Sequence, residues 1–431
     1  MAQVKFWLLI LGLALAAWLT ACSAANTGDD PGSSPGQAQD DDNDDASPGD
    51  DDDNDSTAMP VDYIAVGRAA LRDAVAPLLD YHAGLGQNVW YADTETIADD
   101  LSGEDLPAKI RAYLQQAYDP ERLQFVQLVG ANDQLPARWV SPDPNYLTEY
   151  TCLTDAYYSD LDSEFDKDGD GRYGEWDGDD INWTEEMYVG RLPYDDPETV
   201  AFVAEKIVAF AREDAPYKQT ALLAAANIAV NGDGALVEEA IDQWVLDPGG
   251  YDAYRLYQCC NPFFEPDEYL TRETLLNRLV QHTPGFLLMT VHGNAGCAYA
   301  GDPVLCNTDE QYFDGETQTV MLSSGCSNGD LEELDSLGAA MLRSGAAAFL
   351  GSTTYTNPGY FGEGSLIFPM MVENTLNKNR PLGIALAKTR GKYMDLYFNP
   401  AGFYDIGMYW MNFYGFTLMG DPAMTYWHDK P

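Results

Sequence analysis

Four histidines occur in the chain, His82, His282, His292 and His428, and one of them stands in a setting that suits chemistry. His292 ends the apolar run Phe286-Leu287-Leu288-Met289-Thr290-Val291 and is followed at once by Gly293. A second apolar run, Thr319-Val320-Met321-Leu322-Ser323-Ser324, ends in Gly325-Cys326, with the Cys thirty-four residues after His292, and continues into Ser327-Asn328-Gly329. Short apolar runs closed by glycine read as buried strands, and the carboxyl ends of parallel strands are where ligands are met. A thiol at such an end, ahead of a helix and near an imidazole, gains thiolate character and can attack a carbonyl carbon. The adjoining glycines let backbone N–H groups approach a substrate. Taken singly, each residue also fits a core role. Two strand ends carrying them together favour a working Cys–His pair.

A second constellation suits a hard cation. Asp166, Asp168 and Asp170 alternate, Gly171 follows, and Arg172 can offer its carbonyl, which reproduces the first half of an EF-hand-type calcium loop. Asp177 stands where the closing acid is expected, with Glu175 as the alternative, and no flanking EF helices are evident. The expected cofactor is therefore structural Ca2+, with no catalytic cofactor. Besides Cys22 and Cys326 there are Cys152, Cys259, Cys260, Cys297 and Cys306. Cys297 and Cys306 flank a loop just past His292 that a disulfide would clamp. The adjacent Cys259 and Cys260 are poorly placed to bond each other. No C-x-x-C spacing supports zinc.

The elements that must position these groups alternate. Strands are expected at 61–67, 88–91, 123–129, 187–190, 221–230, 251–257, 286–291, 319–324 and 346–352. Helices are expected at 71–81, 106–117, 198–212, 235–245, 267–281 and 331–343. Strand–helix alternation implies parallel sheets covered on both faces. The fold class is α/β: two parallel-sheet subdomains in series, 61–200 with the calcium loop and 201–431 with the Cys–His pair. Residues 150–186 interrupt the pattern with an acidic, Gly-rich loop too long to be casual.

The ends and the charge place the molecule. Residues 1–22 read as an export signal: Lys5, then an apolar stretch from Phe6 to Ala21 that is short for a membrane span. The closing Leu19-Thr20-Ala21-Cys22 resembles a bacterial lipobox, with Cys22 the lipidated residue. Residues 23–60 hold 12 acids and no base, a self-repelling tether. Removing signal and tether leaves 22 bases against 58 acids, a charge of −36. So acidic a body repels nucleic acid and anionic lipid, which leaves the anchor as the only expected membrane contact. The expected location is the bacterial outer membrane, facing the periplasm or the exterior.

The ordered set Asp62-Tyr63-Ile64, Leu128-Val129-Gly130, Val189-Gly190-Arg191-Leu192-Pro193, Val291-His292-Gly293-Asn294, Ser323-Ser324-Gly325-Cys326 and Leu418-Met419-Gly420-Asp421-Pro422-Ala423 resembles the gingipain-like cysteine peptidases, which have the caspase fold. The resemblance covers about 62–427. It implies an endopeptidase in which Cys326 attacks, His292 protonates the leaving amine, and the N–H groups of Gly293 and Cys326 form an oxyanion hole. It also implies a carboxylate orienting the imidazole just before the Gly-Arg element; Glu186 is the match and Glu185 its rival. Basic-specific relatives carry an acid in the substrate pocket shortly after that element, which points to Asp195, Asp196 or Glu198. The competing functions are a transpeptidase of sortase type and a calcium-stabilised surface-binding lipoprotein with a spent site. Protein or peptide is the expected partner, and the oligomeric state stays open.

Overall fold

The computed structural model describes residues 61–429, apart from 123, 143–150, 229–232, 262, 314, 316–317, 358–364, 366 and 398–405. Cys22 and the tether lie outside the described residues.

Short apolar runs make the sheet. β1 (Tyr63–Gly67), β3 (Phe125–Val129), β10 (Phe286–Thr290), β14 (Thr319–Ser323) and β15 (Ala346–Ser352) are buried at every position. Such runs belong to parallel strands covered on both faces. They join β2 (Val89–Asp93), β6 (Tyr188–Leu192), β7 (Thr220–Ala225), β8 (Asp252–Tyr257), β9 (Glu268–Tyr269) and β16 (Phe416–Met419). The order is β2-β1-β3-β6-β16-β15-β14-β10-β7-β8-β9, an 11-stranded sheet. All pairings are parallel except β15 with β16. The two halves of the sheet therefore run in opposite directions and meet at that seam. β4 (Arg138–Val140) pairs with β5 (Cys152–Thr154), while β11 (His292–Gly293), β12 (Cys297–Ala300) and β13 (Asp302–Cys306) form a small antiparallel sheet.

Helices cover both faces. Pro197–Arg212 is capped by Asp196, whose side chain accepts from Thr199 N, and packs on Arg72–Gly84. Where local chemistry competes with periodicity, the expected helices shorten. The segment expected as helix from 267 begins with strand β9; the helix starts at Arg272, where Thr271 and Thr274 form a reciprocal cap. The helix expected from 331 starts at Leu337, because Asp330 accepts from Glu332 N and Glu333 N and holds a turn there. Helices Ile367–Val372, Leu382–Tyr397 and Ile406–Gly415 were not expected from periodicity.

Arg191 of β6 is fully buried and grips Asp155 with two contacts, Nε to Oδ2 at 2.8 Å and Nη2 to Oδ1 at 2.6 Å. Nη1 reaches the carbonyls of Gly130 and Leu135. The Gly-Arg element is thus a structural bolt that fixes the long acidic segment to the sheet.

Candidate active site

β7 and β10 are neighbours, and the chain leaves them in opposite lateral directions: β8 and β9 to one side, β14 and β15 to the other. Such a reversal opens a crevice at the carboxyl ends of the strands. Ala226 N–H donates to Thr290 O at 2.9 Å, which carries the pairing one residue past β7. The next residue, Asn227, then presents its carbonyl to His292, with Nε2 and O 3.2 Å apart. A Nε2–H donated there leaves Nδ1 as the base.

Gly293 is held between two partners. In the β11–β12 ladder Asn294 N–H donates to Cys297 O at 2.9 Å, so the Gly293–Ala298 pair is a non-hydrogen-bonded one and the Gly293 N–H turns away from β12. On that other side lies the Cys326 loop. A Cβ on Gly293 would stand 2.7 Å from Cys326 O, Gly325 C and Asn328 Nδ2. The glycine is required by close approach of two backbones. Cys297 and Cys306, paired in register on β12 and β13, form a disulfide that clamps this small sheet.

Cys326 follows β14 in a turn whose amides are mostly spent. Ser327, at φ +54°, donates to Thr354 O, Asn328 N–H to Gly325 O, and Gly329 N–H to Ser352 O. The Cys326 N–H donates to no group among the described residues. Its Sγ, partly exposed, receives the Thr356 N–H at 3.4 Å, with Thr356 Oγ1 at 3.6 Å. Two side chains tie the turn to the histidine strand. Ser324 Oγ accepts from Val291 N at 3.0 Å. Asn328, fully buried, donates from Nδ2 to Asn294 O at 2.7 Å and Cys297 O at 3.1 Å, and its Oδ1 accepts from Ser323 Oγ at 2.8 Å. His292 and Cys326 open on one cleft of about 480 Å³, walled by Ile228, Val291, Phe368, Phe416, Thr356 and Asn412 among others.

The carboxylates expected to serve this site are elsewhere. Glu186 precedes β6, and three strands, β16, β15 and β14, separate it from β10. At about 4.8 Å per step that is roughly 19 Å, beyond any side chain's reach. It accepts instead from Leu161 N at 2.6 Å beside Asp160 and Asp162, and burial raises its carboxyl above the usual range. Glu185 pairs with Arg390 at 2.6 Å, both buried. The imidazole's partner is the Asn227 carbonyl, and nothing in the sequence around 227 marked it. Asp195, Asp196 and Glu198 follow the carboxyl end of β6; because the halves of the sheet are opposed, that is the edge away from the cleft. Asp195 accepts from Ala131 N at 2.9 Å and Asp196 caps its helix. Asn328, Ser324 and Thr356 were not singled out, although the polar Ser327-Asn328 step after a buried strand was on view.

In the acidic loop, oxygens of Asp166, Asp168 and Asp179 come within 4.8 Å of one another, as do those of Asp168, Asp170 and Glu175. Arg172 N–H is held by Asp170 Oδ1 at 2.8 Å. Asp177 is exposed and outside both groups. Asp179 N–H donates to Glu175 O, a helical step that puts residues 175 and 179 on one side and 177 on the other. Cys259 and Cys260 are joined by a disulfide across a cis peptide, contrary to the expectation from their adjacency. The other free thiol among the described residues, Cys152, is buried, which pushes its pKa up to about 12 and leaves it inert.

None of the curated proteins compared matches the chain. Several solved structures share its fold. The Arg-specific cysteine proteinase gingipain R has 17% identity and a TM-score of 0.65, covering 85% of this chain and 78% of its own. A complex of the pro- and mature domains of RgpB from Porphyromonas gingivalis gives 16% and 0.64, covering 84% and 79%. The profile of Peptidase family C25 matches residues 56–427, almost the whole described body, and the chain belongs to that family.

Proposed function

We propose that the protein is an exported, lipid-anchored cysteine endopeptidase working through Cys326 and His292. The observation that carries this is the placement of both side chains on one cleft, at the ends of neighbouring parallel strands, with the Gly293 backbone locked against the Gly325–Cys326 peptide. Nδ1 of His292 takes the thiol proton while Nε2–H stays on the Asn227 carbonyl. The Cys326 sulfur then forms a bond to the scissile carbonyl carbon. The oxygen's charge is met by the N–H groups of Cys326 and Gly293, each such donor worth about 2.7–4 kcal/mol. The imidazolium returns its proton to the leaving amine, the C–N bond breaks, and a water releases the acid from the thioester. A neutral carbonyl orients the ring without adding a negative charge, so the pair works as a dyad. The lipobox-like Leu19-Thr20-Ala21-Cys22 and the acidic tether support attachment through Cys22.

The test is hydrolysis of a mixed fluorogenic peptide library together with iodoacetamide labelling. Stoichiometric alkylation at Cys326 that abolishes turnover is the expected result. A Cys326→Ala variant with parental turnover would overturn the assignment.

A further inference from the structure

Glu238 lies fully buried on the helix Gly234–Ile241, against the strand that leads to His292. Its Oε1 accepts the Thr290 N–H of β10 at 3.1 Å. Its Oε2 and the Thr290 hydroxyl are buried and have no hydrogen-bond partner among the described residues. No cation meets the carboxyl; burial first, and the nearby Asp233 charge in addition, push it well above the usual carboxylate range. An acid so placed in the interior stays neutral. It then has the shape and the acceptor oxygen of an amide, and one O–H to donate.

The same helix grips both strand ends from which the site leaves. Gly234 N–H donates to Ala226 O at 3.0 Å, and Ala226 N–H donates to Thr290 O at 2.9 Å. A Cβ on Gly234 would stand 2.6 Å from Thr290 O and 2.7 Å from Ala226 O, so the first turn of the helix rests on the backbones of β7 and β10 at once. Asp233 fixes where that turn begins, its side chain accepting from Ala235 N at 3.0 Å. Glu238 stands one turn further along and takes the Thr290 N–H, so Thr290 is held at both of its backbone groups.

The site begins just past this staple. Asn227 is the next residue after Ala226, and His292 is two residues after Thr290. The contact between His292 Nε2 and Asn227 O therefore joins the two chains where they leave it. His292 is exposed, so packing does not hold the ring. At 3.2 Å the bond is already at the long end of its range and has little slack before it fails.

We propose that Glu238 is a positioning residue for His292: by bonding the Thr290 backbone it staples the helix Gly234–Ile241 to β10 and so holds the imidazole against the Asn227 carbonyl. The consequence for turnover rests on the peptidase reading, whereas the effect on the ring does not. The acid acts without its charge. Glutamine keeps the acceptor oxygen and the shape and should replace it. Methionine has a similar volume but no comparable acceptor, and should not.

The test uses the full chain with nitrogen-15-labelled histidine. Among the four histidines, the His292 resonances are those lost in His292→Ala. A Nε2–H on an exposed ring is seen at neutral pH only when a hydrogen bond slows its exchange with water. The parent should show this proton, and Glu238→Gln should keep it. Glu238→Met should lose it, with kcat at least tenfold lower on any peptide the parent cleaves and KM within twofold. Glu238→Gln should stay within threefold on both constants. Should Glu238→Met fail to fold, Glu238→Asp, which keeps the acid but draws it back by one methylene, must lose the same signal. A parent without the signal, a parental signal in folded Glu238→Met or in Glu238→Asp, or its loss in Glu238→Gln would each overturn the staple. The signal needs no substrate, so a failure here is separable from a failure of the peptidase reading, which Cys326→Ala decides.

Discussion

In the proposed mechanism Cys326 and His292 share a single proton transfer, so their removal should not add up. Cys326→Ala, His292→Ala and the double variant should fall to a similar residual kcat/KM, measured on any peptide the parent cleaves. Glu186→Gln should stay within about threefold of the parent, because that carboxylate serves the Leu161 amide and not the imidazole. Asn227→Ala should be similarly mild, since the orienting group is a main-chain carbonyl; a loss above a hundredfold in either variant would contradict this geometry. Gly293→Ala makes the opposite case. Its Cβ meets backbone atoms at 2.7 Å that cannot give way singly, so activity should drop at least a hundredfold. These pairs show how unevenly the site was legible. The thiol and the imidazole announce themselves by type and by their place after apolar runs. A carbonyl oxygen is present in every residue, and no local signal says which one will face a ring.

At the scale of elements, the site is two loops sewn together by Asn328. Asn328→Ala would leave Asn294 O, Cys297 O and Ser323 Oγ without their buried partner. A cost of about 3 kcal/mol is expected, read as a lower urea midpoint, with kcat falling alongside. The Cys297–Cys306 disulfide holds the same sheet from its far side. Opening a loop of this length should cost about 2.7 kcal/mol in the chain-entropy account; Cys297→Ala/Cys306→Ala should show it in thermal melts, with His292-dependent turnover falling too. The cleft walls carry Ile228, Phe368 and Phe416, and no carboxylate is among the described residues that line it. Peptides with Leu or Met at P1 should therefore be cleaved at least tenfold faster than those with Arg or Lys; the reverse order in a library profile would sink this expectation. The central strands β1, β3, β10, β14 and β15 were read well because each is short and buried throughout. The helix Ile406–Gly415 was not, since it is apolar nearly all round and leaves no clear stripe: Trp410, Met411, Phe413 and Tyr414 are all buried.

For the molecule as a whole, one sheet spans both halves of the chain, and the antiparallel β15–β16 contact joins them. The bolt on its first half is the buried Arg191–Asp155 pair. Arg191→Leu would strand Asp155 in the interior at a cost of about 3–5 kcal/mol, enough to remove the folded protein from expression at 37 °C, whereas Lys167→Ala at an exposed pair should leave the melting temperature nearly unchanged. Attachment belongs to the same scale. Cys22→Ser should move the protein from the membrane to the soluble fraction, and mutant protein that still takes up labelled palmitate would refute the anchor.

What the sequence determined by itself was whatever depends on residue type and short-range order: buried strands, the two strand ends that carry His292 and Cys326, the alternating acids at 166–170, and the ordered motifs of the family. Tertiary structure decided everything that depends on which edge and which neighbour. Reversal of direction at β15–β16 carries Asp195, Asp196 and Glu198 to the far edge of the sheet. It leaves Glu186 on the near edge but four strand steps from the histidine. The same folding turned Asp179 inward in place of Asp177, because a helical step at 175–179 selects every fourth residue. Direction and lateral order are set by contacts hundreds of residues apart, such as Met419 with Arg191, and no window of sequence contains them.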